Sequence, residues 1–251
     1  MRPRLALTGS LFLGFLALGS CSAPDDQSFV ILRASPLSSD PSSPSICSTE
    51  DSGGAGMGSV FQSTGVLDLT LVNAYRQGYV ICPVVENRKP SRAAQNRGIE
   101  SGQIYLQGVD VDISFDQDPG VPFADNEIRF RERLFNRLDP EGGIATVGIN
   151  GIPAATALRL AQSGIQDGKA FVKIRFIGTS NEDLVKSNEM NFEVRLCRGC
   201  LLNFVGPCCA DATLKGSPNI VQDNVIDCCD AGGVICPARK IDGPACGTTT
   251  P

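Results

Sequence analysis

The sequence contains no histidine and no tryptophan. Without histidine, the commonest general base and the commonest metal-ligating side chain are both missing. A Ser-His-Asp triad, a Cys-His pair and any HExxH zinc site are therefore excluded. Without tryptophan, the Cys…Trp…Cys signature of true immunoglobulin domains is excluded too. Net charge is small, 22 Lys and Arg against 27 Asp and Glu, a balance of −5. No global field draws such a chain to nucleic acid or to an acidic membrane surface, so no nucleic-acid partner is expected. Aromatic residues make up 6% of the chain, leaving few rings on which a sugar would stack.

Cysteine, by contrast, is plentiful. Eleven residues stand at 21, 47, 82, 197, 200, 208, 209, 228, 229, 236 and 246. An odd number in an exported chain leaves one thiol to account for, and Cys21 stands apart from the rest. Residues 1–20 carry Arg2 and Arg4, an apolar core around Leu11 to Leu18, and small residues after it. That order is the order of an export signal. The apolar stretch is interrupted by Gly14 and Gly19 and is too short to span a bilayer of about 30 Å. Leu18-Gly19-Ser20-Cys21 resembles the lipobox of bacterial lipoproteins, in which the cysteine sulfur receives a diacylglyceryl group (commonly palmitate-rich) and the signal is removed. Each buried acyl methylene contributes about 0.8 kcal/mol, so two or more chains hold a protein firmly on a bilayer. Lipidation at Cys21 is thus expected, with Ser22 in the following place favouring the outer membrane.

Residues 21–58 read as a Ser-, Pro- and Gly-rich tether, suited to a membrane-anchored domain. "FVILR" at 29–33 interrupts it as a first strand, and Cys47 pins part of it by a disulfide. From 59 to 197 the pattern changes to short runs of period two. In "EMNFEVRL", Met190, Phe192, Val194 and Leu196 share one face; in "AFVKIRF", Val172, Ile174 and Phe176 do. The polar "IGTSNEDLVKSN" between them reads as a hairpin loop. "VLDLTL" places Leu67, Leu69 and Leu71 on one side of a strand, and "YVICPVV" reads as a more buried one. "IYLQGVDVDISF" changes phase at Gly108, where a bulge would return both halves to the core. One helix is expected, "IPAATALRLAQ" at 152–162, with Pro153 suited to its first turn. The expected fold is all-β, an antiparallel β-sandwich of seven to nine strands, immunoglobulin-like in the broad sense, with one short helix.

Residues 198–251 form a Cys-rich tail with few large apolar side chains. Such a segment cannot offset its ordering entropy by burial, and disulfides of about 2–4 kcal/mol each would do so. An irregular, disulfide-stapled tail is expected, with Cys47, Cys82, Cys197, Cys200, Cys208, Cys209, Cys228, Cys229, Cys236 and Cys246 as candidates. Cys47 and Cys82 either pair together or staple the tether and the sandwich to the tail. Ten thiols allow about 945 pairings, and spacing alone selects none. The Cys197-x-x-Cys200 spacing also suits a metal or a redox disulfide, although Leu201 excludes the haem-attachment motif. "YVICPVVEN" (79–87), "CRGCL" (197–201) and Gln222-Asp223 before Cys228 together resemble surface lipoproteins of myxobacterial type. The resemblance implies an architecture and an address, not an activity.

Two charged stretches complete the inventory. Asp116, Asp118 and Glu127 have the first, third and twelfth places of a calcium loop, but Gly120 and Val121 occupy the fifth and sixth, where an oxygen ligand and a glycine belong. Arg129, Arg131, Arg133 and Arg137 form either a wet strand face or a basic patch for polysaccharide or phosphate. The expected function is that of a membrane-anchored, non-catalytic binding or structural module of the cell envelope, with no cofactor. Its partners would be the bilayer and an envelope protein or polysaccharide. The alternatives are a calcium- or metal-dependent adhesion or carbohydrate-binding module, and a carboxylate-based hydrolase.

Overall fold

The computed structural model describes residues 28–37, 47, 62–91, 102–181, 183–207, 222–230 and 234–235. Cys21, the signal stretch, Cys208, Cys209, Cys236 and Cys246 lie outside these residues.

Chain order begins with β1 (Phe29–Ser35), β2 (Thr64–Asp68), α1 (Leu69–Tyr75), β3 (Tyr79–Asn87) and β4 (Ile104–Phe115). There follow α2 (Asp125–Ile128), β5 (Arg129–Arg133), β6 (Arg137–Leu138), β7 (Gly143–Thr146), β8 (Ile149–Ile152) and α3 (Ala154–Gln162). The last elements are β9 (Asp167–Ser180), β10 (Asp183–Lys186), β11 (Met190–Cys197), β12 (Leu202–Pro207), β13 (Ile226–Asp230) and β14 (Val234–Ile235). The fold is therefore strand-rich.

Its strands form one four-stranded sheet, β1-β3-β7 with β8 also on β3, and one seven-stranded sheet, β2-β11-β9-β4-β5 with β10 on β9 and β6 on β4. The alternating apolar residues of both sheets meet in a single core. Phe29, Ile31, Tyr79, Ile81 and Val85 enter it from the smaller sheet; Val109, Val111, Ile113, Val172, Ile174, Phe176, Phe192 and Val194 enter from the larger. Full burial of such side chains stabilises by about 1.5–3 kcal/mol each. The Tyr79 and Phe192 rings, with centroids 6.0 Å apart, join the two layers.

Several expectations hold. β1 docks on β3 antiparallel, so part of the expected tether belongs to the packed region. β11 lies antiparallel on β9 with Phe192 opposite Val172. The β4–β9 register slips between Leu106 and Gly108, and this slip at the Gln107–Gly108 step puts Leu106 and Val109 both in the core. The helix at 152–162 forms from Ala154, with Pro153 at its N-cap.

Other expectations are corrected. "LTLVNAY" is helix α1, not a continued strand. A short apolar run suits either state, and Asp68 decides it, because its carboxylate accepts a hydrogen bond from Thr70 N at 2.9 Å. Three helices are therefore found among the described residues, not one. The polar stretch between β9 and β11 contains β10, whose Leu184 pairs with Thr179. The larger sheet is mixed, since β2 runs parallel to β11. The chain changes sheets between β1 and β2, so β2 needs no hairpin partner. Nor is the tail wholly irregular: β12, β13 and β14 make a three-stranded sheet.

Strand directions give the molecule two distinct ends. Phe29 opens β1 opposite Asn87, the last residue of β3. The buried Asn87 side chain donates to Gly102 O at 2.7 Å and Leu138 O at 3.2 Å, stitching the start of β4 and the end of β6 to the same end. Ser180, where β9 finishes, is at that end as well, because Thr179 pairs with Tyr105. Asp167, Asp68 and Cys197 meet at the other end. The 14 residues of β9 separate the two by roughly 45 Å.

Candidate functional site

The chemistry-bearing groups gather at the end marked by Cys197. Here β2 is the organising strand, because three motifs that are far apart in sequence converge on it.

At its C-terminal residue, the fully buried Asp68 carboxylate receives Thr70 N and Gly199 N on Oδ1, both at 2.9 Å, and Leu201 N on Oδ2 at 2.9 Å. It thus caps α1 and holds the backbone of the Cys197–Leu201 loop. Three amide N–H groups surround the buried charge in place of water. Gly199 has φ 72°, a left-handed conformation that suits glycine at the turn of this loop. Arg198 turns away from the sulfurs and donates to the Ala161, Ser163 and Ile165 carbonyls at 2.7–2.8 Å, satisfying the C-terminal end of α3 and the chain just beyond it. Cys197 and Cys200 are joined by a disulfide, with Cα atoms 6.0 Å apart. Cys197 is buried and Cys200 exposed.

Asp68, Cys197 and Cys200 have ligand atoms within 4.8 Å of one another, the spacing of a metal-ligand set. In this arrangement the sulfurs bond to each other and both carboxylate oxygens accept amide protons. The donor set is consumed internally. Chemically, the loop offers one solvent-facing sulfur, Cys200, to an incoming thiolate.

One residue earlier on β2, the tail is latched to the sheets. Leu67 bridges Gln222. The Gln222 amide mimics a peptide: it accepts from Val80 N and donates to Val80 O, each at 2.7 Å. Asp223, with φ 61°, donates its N–H to Val66 O at 3.1 Å. Its carboxylate accepts from Val66 N at 2.5 Å, Gln62 Nε2 at 2.6 Å and the Tyr79 hydroxyl at 2.6 Å. Gln62 Nε2 also donates to Tyr79 Oη at 3.0 Å. Burial, and after it the Asp223 charge, raise the Tyr79 phenol far above its ordinary range, so it serves as a donor at every working pH. Below the latch, Leu71 of α1 packs with Leu201, Ile226 and Cys228 in a second small core. Cys228 is itself disulfide-bonded.

The second described cross-link, Cys47–Cys82, ties the stretch after β1 to β3, with Cα atoms 5.6 Å apart and both cysteines buried. Of the ten disulfide candidates, Cys47, Cys82, Cys197, Cys200 and Cys228 are thus bonded; Cys229 lies on β13.

The calcium candidates are not brought together. Asp116 accepts from Lys169 N, Asp118 from Gly120 N, and Glu127 from Ala124 N while pairing with Arg159 at 3.1 Å. The arginine stretch is a wet face. Arg131 pairs with Asp110 at 2.6 Å, Arg129 with Asp112 at 3.3 Å and Arg137 with Asp139 at 3.3 Å. The same face continues with Lys169–Glu193, Arg195–Asp167 and Arg175–Glu189. Cross-strand opposite charges are an ordinary way to finish a solvated sheet.

Sequence reasoning did not find Asp68, Gln62 or the partners of Asp223. The only local signal was Asp68 ahead of an apolar run, an N-cap pattern. Compared with family models, with curated proteins and with solved structures, the chain matches none.

Proposed function

We propose that the protein is an exported lipoprotein, held in the cell envelope by acyl chains on Cys21, that acts there as a non-catalytic binding or structural module. Its two sheets pack as a β-sandwich, immunoglobulin-like in the broad sense, and the Cys197–Cys200 loop with the described part of the Cys-rich segment forms a head at the end away from the anchor. The partner is the bilayer on one side and an envelope protein or polysaccharide on the other, with the outer membrane the favoured address.

One observation carries this reading: β1 starts only eight residues after Cys21 at one end of the fold, whereas the Cys197–Cys200 loop and the Asp223 latch lie at the opposite end. A lipid on Cys21 therefore holds one end near the membrane and presents the cross-linked head to what lies beyond it. The buried Cys47–Cys82 bond supports an oxidising compartment. The saturation of Asp68 and Asp223 by internal donors supports a role in holding the head rather than in chemistry.

Replacing Cys21 by Ser and separating membranes from soluble protein tests the anchor. The expected result is transfer of the variant to the soluble fraction, with loss of the diacylglyceryl mass from its N-terminal peptide. A Cys21→Ser protein still wholly in the membrane fraction overturns the reading.

A further inference from the structure

We propose that the rim of the larger sheet nearest the anchor lies on the bilayer itself, with Tyr105, Phe135 and Leu184 entering its interfacial layer. This inference rests on the lipid anchor proposed above and adds the surface and the orientation.

The length of chain outside the structure limits the geometry. Eight residues from Cys21 to Phe29 reach at most about 29 Å, well short of the roughly 45 Å along β9. The end that holds Phe29 is therefore confined to the neighbourhood of the membrane, whatever conformation the link adopts. The expected tether of 21–58 would have allowed a far larger excursion. Docking of β1 onto β3 removes most of it.

Three large apolar side chains are exposed at that end. Leu184, Thr179, Tyr105 and Arg137 form one row across β10, β9, β4 and β6, directly opposite one another and so on the same face. Tyr105 is 51% exposed and Leu184 62%. Phe135, two residues before Arg137 in the β5–β6 connection, is 92% exposed. A single exposed Leu or Phe on a soluble surface is ordinary. Three large apolar side chains exposed on one rim have a reason to be there if a lipid on Cys21 keeps that end near a bilayer. Tyrosine has an apolar ring and a polar tip, the combination favoured at the headgroup level. Its hydroxyl meets Gln103 Oε1 at 2.8 Å and needs no other partner.

The same face sets the limit of the contact. Moving away from the anchor, the row gives way to the ion pairs of Asp110 with Arg131, Asp112 with Arg129 and Lys169 with Glu193. These groups stay in water when the rim tilts onto the membrane. Charges at the end itself are of both signs, Arg88, Lys89 and Arg137 beside Glu86, Asp139 and Glu141. Contact is thus apolar in origin and should be insensitive to salt.

The absence of tryptophan provides the test. The full, acylated chain carrying Phe135→Trp, Tyr105→Trp or Leu184→Trp is placed in phosphatidylcholine vesicles with brominated acyl chains. Phe171→Trp is the control, since Phe171 is partly exposed on the same face of β9 and lies about 26 Å further from the anchor, eight residues from Thr179. Each rim tryptophan should shift to the blue and lose about half its emission to the bromines, unchanged by added salt, while the control does neither. Vesicle-bound protein whose rim tryptophans are quenched no more than the control overturns the inference and leaves the anchor standing. A chain whose Cys21 carries no lipid by mass overturns the anchor, and this inference with it.

Discussion

A Cβ placed on Gly65 would lie 1.7 Å from the Tyr79 hydroxyl oxygen, so the missing side chain on β2 is the space through which Tyr79 reaches Asp223. The latch between the sheets and the tail depends on this close approach. Gly65→Ala should push the phenol aside, combining overpacking with a lost charge-assisted hydrogen bond, for a total of about 3 kcal/mol. Urea denaturation of the purified variant checks it. A midpoint within error of the parent would mean that Tyr79 relaxes freely and does not hold the latch.

Tyr79→Phe should cost less, about 2 kcal/mol, because Asp223 keeps Val66 N and Gln62. Its signature is in the pH dependence. The folded phenol is raised above its unfolded value, so the stabilisation is complete below about pH 10 and declines as pH rises beyond that, where only the unfolded chain releases the proton. The parent should therefore lose stability above about pH 10 more steeply than Tyr79→Phe. In the parent, ultraviolet tyrosinate absorbance from this residue should appear only together with unfolding. Equal slopes in the two proteins would contradict the assignment.

How much of this was legible in the sequence depends on the range of the interaction. Period-two runs such as "EMNFEVRL" state their own buried face, and the phase slip beside Gly108 betrays a bulge, because both are fixed by residues a few places apart. The fate of Leu69–Tyr75 turned on one cap, Asp68, that an apolar pattern does not weigh. The site itself was legible only in pieces. "YVICPVVEN", "CRGCL" and Gln222-Asp223 each stood out, but Tyr79 and Asp223 are 144 residues apart and nothing local says they touch. Polar side chains that pair across such distances leave no periodicity. The arginine stretch was ambiguous for the converse reason: its partners, Asp110 and Asp112, are on β4.

Asp68 distinguishes a simple helix cap from a structural hub. Losing a cap alone costs about 1 kcal/mol. Asp68→Asn also turns an amide N–H group toward either Gly199 N or Leu201 N, leaving a buried donor without an acceptor, and should cost about 3 kcal/mol. Thermal unfolding of Asp68→Asn beside the parent measures the loss. A loss near 1 kcal/mol would reduce Asp68 to its role in α1.

The Cys47–Cys82 bond closes a loop of 35 residues, for which chain entropy gives about 3–4 kcal/mol. The double substitution Cys47→Ser, Cys82→Ser should lower stability by that order without altering the sheet signal in circular dichroism. Because β3 is the one strand paired with β1 among the described residues, the β1 amides should be the ones that lose most protection from hydrogen exchange. Uniform loss across β4, β9 and β11 would show instead that the bond supports the whole core.

Accessibility should order the reduction of the two described disulfides. Exchange requires a thiolate to reach a sulfur, and Cys200 is exposed whereas Cys47 and Cys82 are 2% and 1% accessible. Mild dithiothreitol followed by alkylation and peptide mass analysis should label Cys197 and Cys200 first, with Cys47 and Cys82 labelled only as the protein unfolds. The opened loop should stay in place, since Asp68 still holds Gly199 N and Leu201 N and Arg198 still holds the end of α3. The urea midpoint after selective reduction should therefore fall by less than the Asp68→Asn substitution lowers it. If reduction proves the more damaging of the two, the disulfide rather than the buried carboxylate organises this corner, and the head would come loose wherever reductant reaches it.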